Sequence, residues 1–177
     1  MRIIIINGRP RAGKDTFVEF CQKHCNWCLN VSTVDFVKKV ANYCGWDGTK
    51  TPENRKFLSD LKDLLTQWDD IPYKHVCNEI ALFQNRVRMY DFDPDKDAIA
   101  FIHCREPKEI ARLCEELGAQ SLLITRDEVE TNDQSNHADA EVYNYSYDYM
   151  ISNESTLQDL EEAAVRFLTG LGIQHLK

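Results

Sequence analysis

Residues 7–16 read Asn7-Gly8-Arg9-Pro10-Arg11-Ala12-Gly13-Lys14-Asp15-Thr16 and follow directly on the apolar run Ile3-Ile4-Ile5-Ile6. The spacing of Gly8, Gly13 and Lys14 is that of a phosphate-binding loop between a strand and a helix. Glycine suits both positions because the backbone passes close to phosphate oxygens, and Lys14 can reach the β and γ phosphates. Because the dipole of the following helix points at the same place, the segment predicts a nucleoside triphosphate site that includes Ala12 and Thr16.

Asp15 occupies the position after the lysine, where the pattern has a serine or threonine that binds Mg²⁺. Two interpretations remain open. Asp15, together with Thr16, holds Mg²⁺ directly or through water, or Asp15 is an acidic residue that stabilises the first turn of a helix. A carboxylate beside a triphosphate is unfavourable without a counterion, which favours the metal-linked role.

The size and charge of the chain restrict its class. A length of 177 residues predicts one α/β domain, 1–177, with a core of its own. The sequence has neither a secretory leader pattern nor an apolar run long enough to span a bilayer, so we expect a cytoplasmic protein without membrane contact. The formal net charge of −8 argues against a general nucleic-acid binder, which needs a basic surface.

Three of the seven cysteines, Cys21, Cys25 and Cys28, lie close together in sequence. Their spacing resembles the iron–sulfur motif of radical S-adenosylmethionine enzymes, and with His24 they form a possible zinc set. They also fall in the helix after the phosphate-binding loop, where buried cysteine is an ordinary small hydrophobic residue. We favour this packing role and reduced thiols throughout.

Apolar runs alternate with helical patterns, which is typical of a parallel sheet covered by helices on both faces. We predict strands at residues 3–6, 29–34, 98–102, 122–125 and 149–151. We predict helices at about 14–25, 35–44, from 51 onward, 74–86, 107–118 and from 155 onward, with a loop at 89–97. The last helix has Ser155 and Gln158 in the pattern of a capping box.

The predicted third helix has Thr51 as N-cap and Pro52 as its first residue. Its apolar residues share one stripe, which indicates a face buried against the rest of the protein. The stripe contains Phe57, Leu58, Leu61, Leu64, Leu65 and Trp68.

Residues 126–147 form a long polar connection between the predicted fourth and fifth strands. Loops of this length are often functional lids, and a lid over a triphosphate would exclude water. The alternative, which stays open, is that the segment is a solvent-exposed surface loop and not a lid. The four alternating tyrosines at 143–149 predict half-buried packing beside the fifth strand, and we assign them no site.

Further motifs occur in order on the predicted elements, and with them the chain resembles the P-loop kinases of the nucleoside monophosphate kinase type. The resemblance is greatest to deoxynucleoside monophosphate kinases, with phosphomevalonate and dephospho-CoA kinases as more distant relatives. The motifs are Gly13-Lys14-Asp15-Thr16, Val34-Asp35-Phe36-Val37-Lys38, Arg105, His137-x-Asp139-x-Glu141 and residues 148–153. The resemblance implies a three-layer α/β fold with a five-stranded parallel sheet of order 2-3-1-4-5.

The resemblance also implies roles for individual residues in transfer of a phosphoryl group from ATP with Mg²⁺. Lys14 would hold the ATP phosphates with the loop amides, and Arg9 and Arg11 would add positive charge. The other implied residues are Asp35 and Lys38 at the acceptor pocket, Arg105 on the acceptor phosphate, Arg126 near the transferred group and Asn153 at the nucleotide base. Positioning and charge neutralisation would supply most of the catalysis.

The chain departs from the family at two places. His103 stands where these kinases commonly have a magnesium-organising aspartate, and Arg126 and His137 are the only basic residues of segment 126–147. The leading hypothesis is a kinase acting on a small-molecule acceptor, a nucleoside or deoxynucleoside monophosphate. The alternatives are a kinase for another small acceptor such as dephospho-CoA, and a nucleotide-binding sensor with little transfer activity.

Overall fold

The computed structural model describes residues 1–126 and 142–173. Within them the strands are β1 (Arg2–Asn7), β2 (Trp27–Ser32), β3 (Ala98–His103), β4 (Gln120–Thr125) and β5 (Tyr149–Ser152). The helices are α1 (Lys14–His24), α2 (Asp35–Tyr43), α3 (Pro52–Asp69), α4 (Ile71–Met89), α5 (Pro94–Asp97), α6 (Pro107–Leu117) and α7 (Leu157–Gly170).

The five strands form one parallel sheet in the order β2-β3-β1-β4-β5, which confirms the predicted fold. β1 lies at the centre, with Ile6 opposite His103 of β3 and Asn7 opposite Leu123 of β4. Because all strands run the same way, their carboxyl ends meet at one edge. The connections that leave β1, β2, β3 and β4 therefore begin close together, which is where ligands bind in open α/β sheets.

Helices cover both faces of the sheet. On one face α1 and α7 pack over Ile4, Phe101 and Ile124. On the other face, residues of α4 and α6 pack with Ile5 and Ile102. The central strands are apolar on both sides because neither face reaches water, as the run of four isoleucines indicates.

Several predicted boundaries were wrong. β2 begins and ends two residues earlier than predicted. Its end is fixed by the Asp35 carboxylate, which accepts a hydrogen bond from the Ser32 backbone N–H at 2.7 Å. The predicted loop at 89–97 contains the short helix α5. The capping box of α7 uses Thr156 and Asp159, one residue later than predicted.

The predicted buried face of α3 was also wrong in part. Thr51 caps the helix as expected, by accepting from the Asn54 backbone N–H at 3.2 Å. No residue of α3 is buried, however. Leu58 and Leu65 are half-buried, whereas Leu64 and Trp68 are 62% and 80% exposed.

Most of the predicted lid, residues 126–147, lies outside the described residues, and so does the motif His137-x-Asp139-x-Glu141. Of that segment the structure describes Arg126 and residues 142–147. Among the helices that the structure describes, none combines the length and the apolar character needed to cross a bilayer.

The centre of the core between α1 and α7 should dominate stability. Phe17 is fully buried, with its ring centre 6.2 Å from that of Phe101 and 5.7 Å from that of Phe167. We expect Phe17→Ala to lower the free energy of unfolding by about 3–5 kcal/mol through lost burial and a residual cavity. Urea denaturation measures this change. Tyr43→Ala, at a side chain that is 93% exposed, is the control and should change it little; equal effects would contradict the assignment of the core.

Candidate nucleotide-binding site

The loop between β1 and α1 has the backbone that the sequence predicted. Gly8 and Gly13 have φ angles of +150° and +98°, which L-residues with side chains rarely adopt. A methyl group at Gly8 would overlap the carbonyl oxygen of Ile124, and one at Gly13 would overlap the side-chain amide of Asn153. The loop is therefore packed tightly from below, and α1 begins directly after it at Lys14.

Lys14 lies across this loop. Its Nζ donates to the backbone oxygens of Gly8 and Arg9 at 2.6 and 2.8 Å. The ammonium group is thus held close to the N-terminus of α1, where the positive end of the helix dipole also lies. The arrangement concentrates positive charge at one point of the sheet edge and suits an anionic ligand such as a phosphate group.

Asn153, which follows β5, supports the loop from its buried side. Its side-chain Nδ2 donates to the backbone oxygen of Ala12 at 3.0 Å, and its own backbone N–H donates to Thr125 at 2.9 Å. The residue is 8% exposed. In the structure Asn153 contacts the loop itself, so its predicted contact with a nucleotide base remains a prediction.

Asn7, at the end of β1, joins three parts of the site and was not predicted to do so. Its Oδ1 accepts from the Gly8 backbone N–H at 2.8 Å, and its Nδ2 donates to the hydroxyl of Tyr147 at 2.7 Å and to the backbone oxygen of Arg105 at 3.3 Å. Tyr147 in turn donates to the backbone oxygen of Val142 at 2.8 Å. Burial raises the pKa of Tyr147 to about 12, although the hydrogen bond from Asn7 works in the opposite direction.

His103, the last residue of β3, faces the same region. Its Nδ1 lies 3.8 Å from a carboxylate oxygen of Asp15, and its Nε2 is buried without a hydrogen-bond partner among the described residues. Burial lowers the pKa of His103; the charge of Asp15 opposes this shift and that of Lys14 adds to it. The imidazole is therefore neutral at pH 7 and cannot replace the negative charge of an aspartate.

The predicted acceptor residues also lie at this edge of the sheet. Asp35 begins α2, and its Oδ1 lies 3.9 Å from the Nζ of Lys38. Arg105 is exposed two residues beyond the end of β3, and Arg126 follows β4 directly. Both arginines interact with other groups, so neither is an isolated surface charge.

The two other arginines predicted at the site, Arg9 and Arg11, belong to the loop itself. The Arg9 guanidinium lies 5.1 Å from the ring centre of Tyr143, a second tyrosine to which the sequence assigned no role. Arg11 is exposed and has a φ angle of +64°, which is unusual for a residue with a side chain. Both add positive charge around the loop.

An ion-pair cluster connects α3 to the segment around Arg105. Lys62 of α3 is 14% exposed, and its Nζ donates to Glu106 at 2.8 Å and to Glu109 at 2.7 Å. Burial alone would lower the pKa of Lys62, but the charges of Glu109 and Glu106 raise it overall. Glu109 also accepts from the buried Cys104 thiol at 3.2 Å. The cluster fixes the middle of α3 beside the candidate acceptor site.

The residues predicted to bind Mg²⁺ fit that ion when a phosphate ligand is present. Asp15 offers a carboxylate that is 87% exposed, and Thr16, the next residue of α1, is half-buried and has a hydroxyl group. Mg²⁺ is typically bound by one or two carboxylates, substrate phosphates and water. Among the described residues, no group of three or more His, Cys, Asp or Glu side chains is placed to hold a metal ion by itself.

The three neighbouring cysteines lie in and around the core. The expectation that all three lie in the helix after the loop was wrong, because α1 ends at His24, Cys25 follows it and Cys28 belongs to β2. Cys21 and Cys25 are buried in the cluster on the α1 face of the sheet, and Cys28 packs against it. A hydrogen bond from Cys28 lowers the pKa of Cys25, and burial opposes that shift. This placement agrees with the packing role.

The hydrogen bonds of Asn7 predict a coupling between Asn7 and Tyr147. We expect Asn7→Ala to lower the free energy of unfolding by about 3 kcal/mol and Tyr147→Phe by about 1–2 kcal/mol, because each leaves buried polar groups without partners. Urea denaturation of the double variant should show less than the sum of the two effects. Tyr43→Phe is the matched control for loss of a hydroxyl. Strictly additive effects would show that the two side chains act independently.

Comparison with known proteins bears on the fold. No protein-family model matches the chain, and no curated protein sequence matches it either. Its structure is similar to that of the tunicamycin resistance protein of Deinococcus radiodurans, with 10% sequence identity, a TM-score of 0.51 and coverage of 99% of this chain and 98% of that chain.

Two weaker similarities are to dephospho-CoA kinase from Campylobacter jejuni and to shikimate kinase from Aquifex aeolicus. The first has 13% identity, a TM-score of 0.48 and coverage of 96% of this chain and 97% of that chain. The second has 13% identity, a TM-score of 0.45 and coverage of 97% and 99%. Identities this low concern the fold alone. The order of its strands gives the chain the predicted three-layer α/β fold, with a glycine-containing loop between the central strand of the sheet and α1.

Proposed function

We propose that the chain is an ATP-dependent phosphotransferase for a small-molecule acceptor. The observation that carries the proposal is the loop of residues 8–13, in which two glycines have positive φ angles and Lys14 lies across the backbone at the start of α1. A triphosphate site needs a backbone that passes close to the phosphates, a cation and a helix N-terminus, and this loop supplies Gly8, Gly13, Lys14 and the start of α1. A loop with only a structural role would not need a lysine held in this position.

We propose a nucleoside or deoxynucleoside monophosphate as the acceptor. Asp35 and Lys38 are on the helix that follows β2, and Arg105 is on the connection that follows β3, so all three are on segments that begin at the same sheet edge as the loop. A carboxylate and two cations can recognise a ligand that has both polar hydroxyl or amino groups and a phosphate. Arg105 suits the phosphate of this acceptor, because its guanidinium is a planar group of hydrogen-bond donors.

The residues have separate roles in this proposal. Lys14 and the backbone of residues 8–13 bind the donor phosphates, and Arg126 neutralises charge near the transferred group. Arg9 and Arg11 add positive charge around the loop. Asp15 and Thr16 would hold Mg²⁺, which supplies charge neutralisation on the triphosphate when bound.

The alternative of a nucleotide-binding sensor is favoured by one observation. His103 presents a neutral imidazole to Asp15 where a kinase of the proposed type commonly has a second carboxylate. A site with one carboxylate can bind a nucleotide and transfer its phosphate slowly. A different acceptor, such as dephospho-CoA, would leave the donor site as described.

Lys14→Ala tests the donor site. We expect it to weaken ATP binding by at least about tenfold, because the variant loses a charge-assisted contact with the phosphates. Isothermal titration calorimetry with ATP measures this. Lys23→Ala, on the same helix and 60% exposed, is the control and should bind ATP as the wild type does. Unchanged binding by Lys14→Ala would mean that the loop is not the nucleotide site.

Release of ADP from Mg-ATP, measured against a panel of acceptors, tests the reaction. We expect release that depends on one or a few nucleoside or deoxynucleoside monophosphates. Arg105→Ala should then raise KM for that acceptor by about tenfold or more while ATP binding stays unchanged, and Lys108→Ala, an exposed neighbour, is the control. Release with dephospho-CoA alone would establish the other acceptor. No release with any acceptor of the panel, while ATP still binds, would favour the sensor or an acceptor outside the panel.

A further inference from the structure

The imidazole of His103 is a mostly buried polar group at the carboxyl edge of the sheet. The residue ends β3 and pairs with Ile6, directly before the loop that follows β1, and its side chain is 16% exposed. Its Nε2 is buried without a hydrogen-bond partner among the described residues. Its Nδ1 lies 3.8 Å from Asp15 Oδ1, which is too far for a hydrogen bond. Buried polar groups are rarely left in this state, so the ring indicates contact with a ligand.

The charges around this ring come from both parts of the candidate site. Lys14 and Asp15 begin α1 directly after the loop, and Asp35 and Lys38 belong to α2 at the candidate acceptor pocket. All four charges act on His103. In the proposed function the ring therefore lies where the donor phosphates and the acceptor approach each other. A divalent cation is needed at the same place to neutralise the phosphates.

The separation of His103 Nδ1 and Asp15 Oδ1 suits two ligands of one cation. Two atoms that are each about 2.1 Å from a single ion lie about 3–4 Å apart. The observed 3.8 Å falls in this range. A direct ion pair is the other interpretation of the distance, but the Asp15 carboxylate is 87% exposed, and pairs that involve such exposed groups contribute little. The exposed carboxylate can adjust its position, whereas the mostly buried ring is held in place.

These two side chains do not hold a cation by themselves. Within residues 1–126 and 142–173, no group of three or more His, Cys, Asp or Glu side chains is placed to bind a metal ion. Phosphate oxygens and water commonly supply the other ligands of a cation that is bound with a nucleotide. The cation is therefore expected only together with a triphosphate, so the inference rests on the proposed function.

We propose that Nδ1 of His103 binds, beside Asp15, the divalent cation that accompanies the triphosphate, and that the site therefore favours first-row transition-metal ions over Mg²⁺. Mg²⁺ prefers oxygen ligands, whereas the affinity of imidazole nitrogen rises from Mn²⁺ to Co²⁺ along that series. His103→Asp would instead give an all-oxygen set. Because Nε2 has no hydrogen-bond partner among the described residues to strengthen the ligand, we expect a preference of only about tenfold relative to that set.

Pulsed electron paramagnetic resonance of Mn²⁺ tests whether His103 is a ligand. The probe is Mn²⁺ with inorganic triphosphate, which contains no nitrogen, bound to the full chain. The wild type should show the nitrogen hyperfine coupling of a directly bound imidazole, and His103→Gln should bind Mn²⁺-triphosphate without this coupling. His24→Gln, at a histidine of α1 that pairs with Glu161, is the control and should keep the coupling.

Competition between Co²⁺ and Mg²⁺ in the presence of triphosphate tests the preference. The ratio of the two dissociation constants should shift about tenfold towards Mg²⁺ in His103→Asp, because this variant replaces the nitrogen ligand by a carboxylate. Glu19→Gln, at an exposed carboxylate of α1, is the control and should leave the ratio unchanged. His103→Asp should also lack the nitrogen coupling, so it replaces His103→Gln should that variant fail to fold.

The outcomes separate the role of His103 from the proposed function. Bound Mn²⁺-triphosphate without nitrogen coupling in the wild type overturns the role of His103 and leaves the donor site intact. Coupling that persists in the His103 variants, or an unchanged ratio in His103→Asp, does the same. A wild type that does not bind Mn²⁺-triphosphate also overturns the inference, and failure to bind Mg-ATP as well overturns the proposed function.

Discussion

The buried side chain of Asn7 is the interaction on which the candidate site depends. A parallel sheet brings the ends of its strands to one edge but does not fix the loops that leave them. Asn7 fixes three of them with one amide, through the Gly8 N–H, the Arg105 carbonyl and the Tyr147 hydroxyl. Because Asn7 is fully buried, its amide cannot replace a lost partner with bulk water, so removal of a partner costs free energy. The loop after β1 and the candidate acceptor segment at Arg105 are thereby held in one arrangement.

The tight packing below the loop has a related consequence. Ile124 leaves no room for a side chain at Gly8, and Asn153 leaves none at Gly13. The loop therefore cannot move down into the sheet, and its free side is the one that faces solvent and Lys14. A loop that is held in one conformation before a ligand arrives loses less conformational freedom on binding, which lowers the free-energy cost of binding.

Local patterns account for what could be predicted from the sequence. The isoleucine run, the glycine spacing and the Thr51-Pro52 start depend on neighbours in sequence, and they predicted β1, the loop and α3. Asn7 could not be assigned its role, because its partners lie 98 and 140 residues away. The cap of α7 was misplaced because Ser155 and Thr156 both have hydroxyls, and only the backbone decides which one caps the helix.

Helix α3 shows why the spacing of apolar residues predicts which face of a helix is apolar but not which part of that face is covered by the rest of the protein. Its apolar residues span a sector wider than α2 and α4 can cover, and the Lys62 cluster determines which part remains outside. Lys62 reaches Glu106, directly beside Arg105, so the rotation of α3 that leaves Leu64 and Trp68 exposed is the same rotation that fixes the candidate acceptor segment. The orientation of α3 and the geometry of the candidate acceptor site are therefore set by one ion-pair cluster.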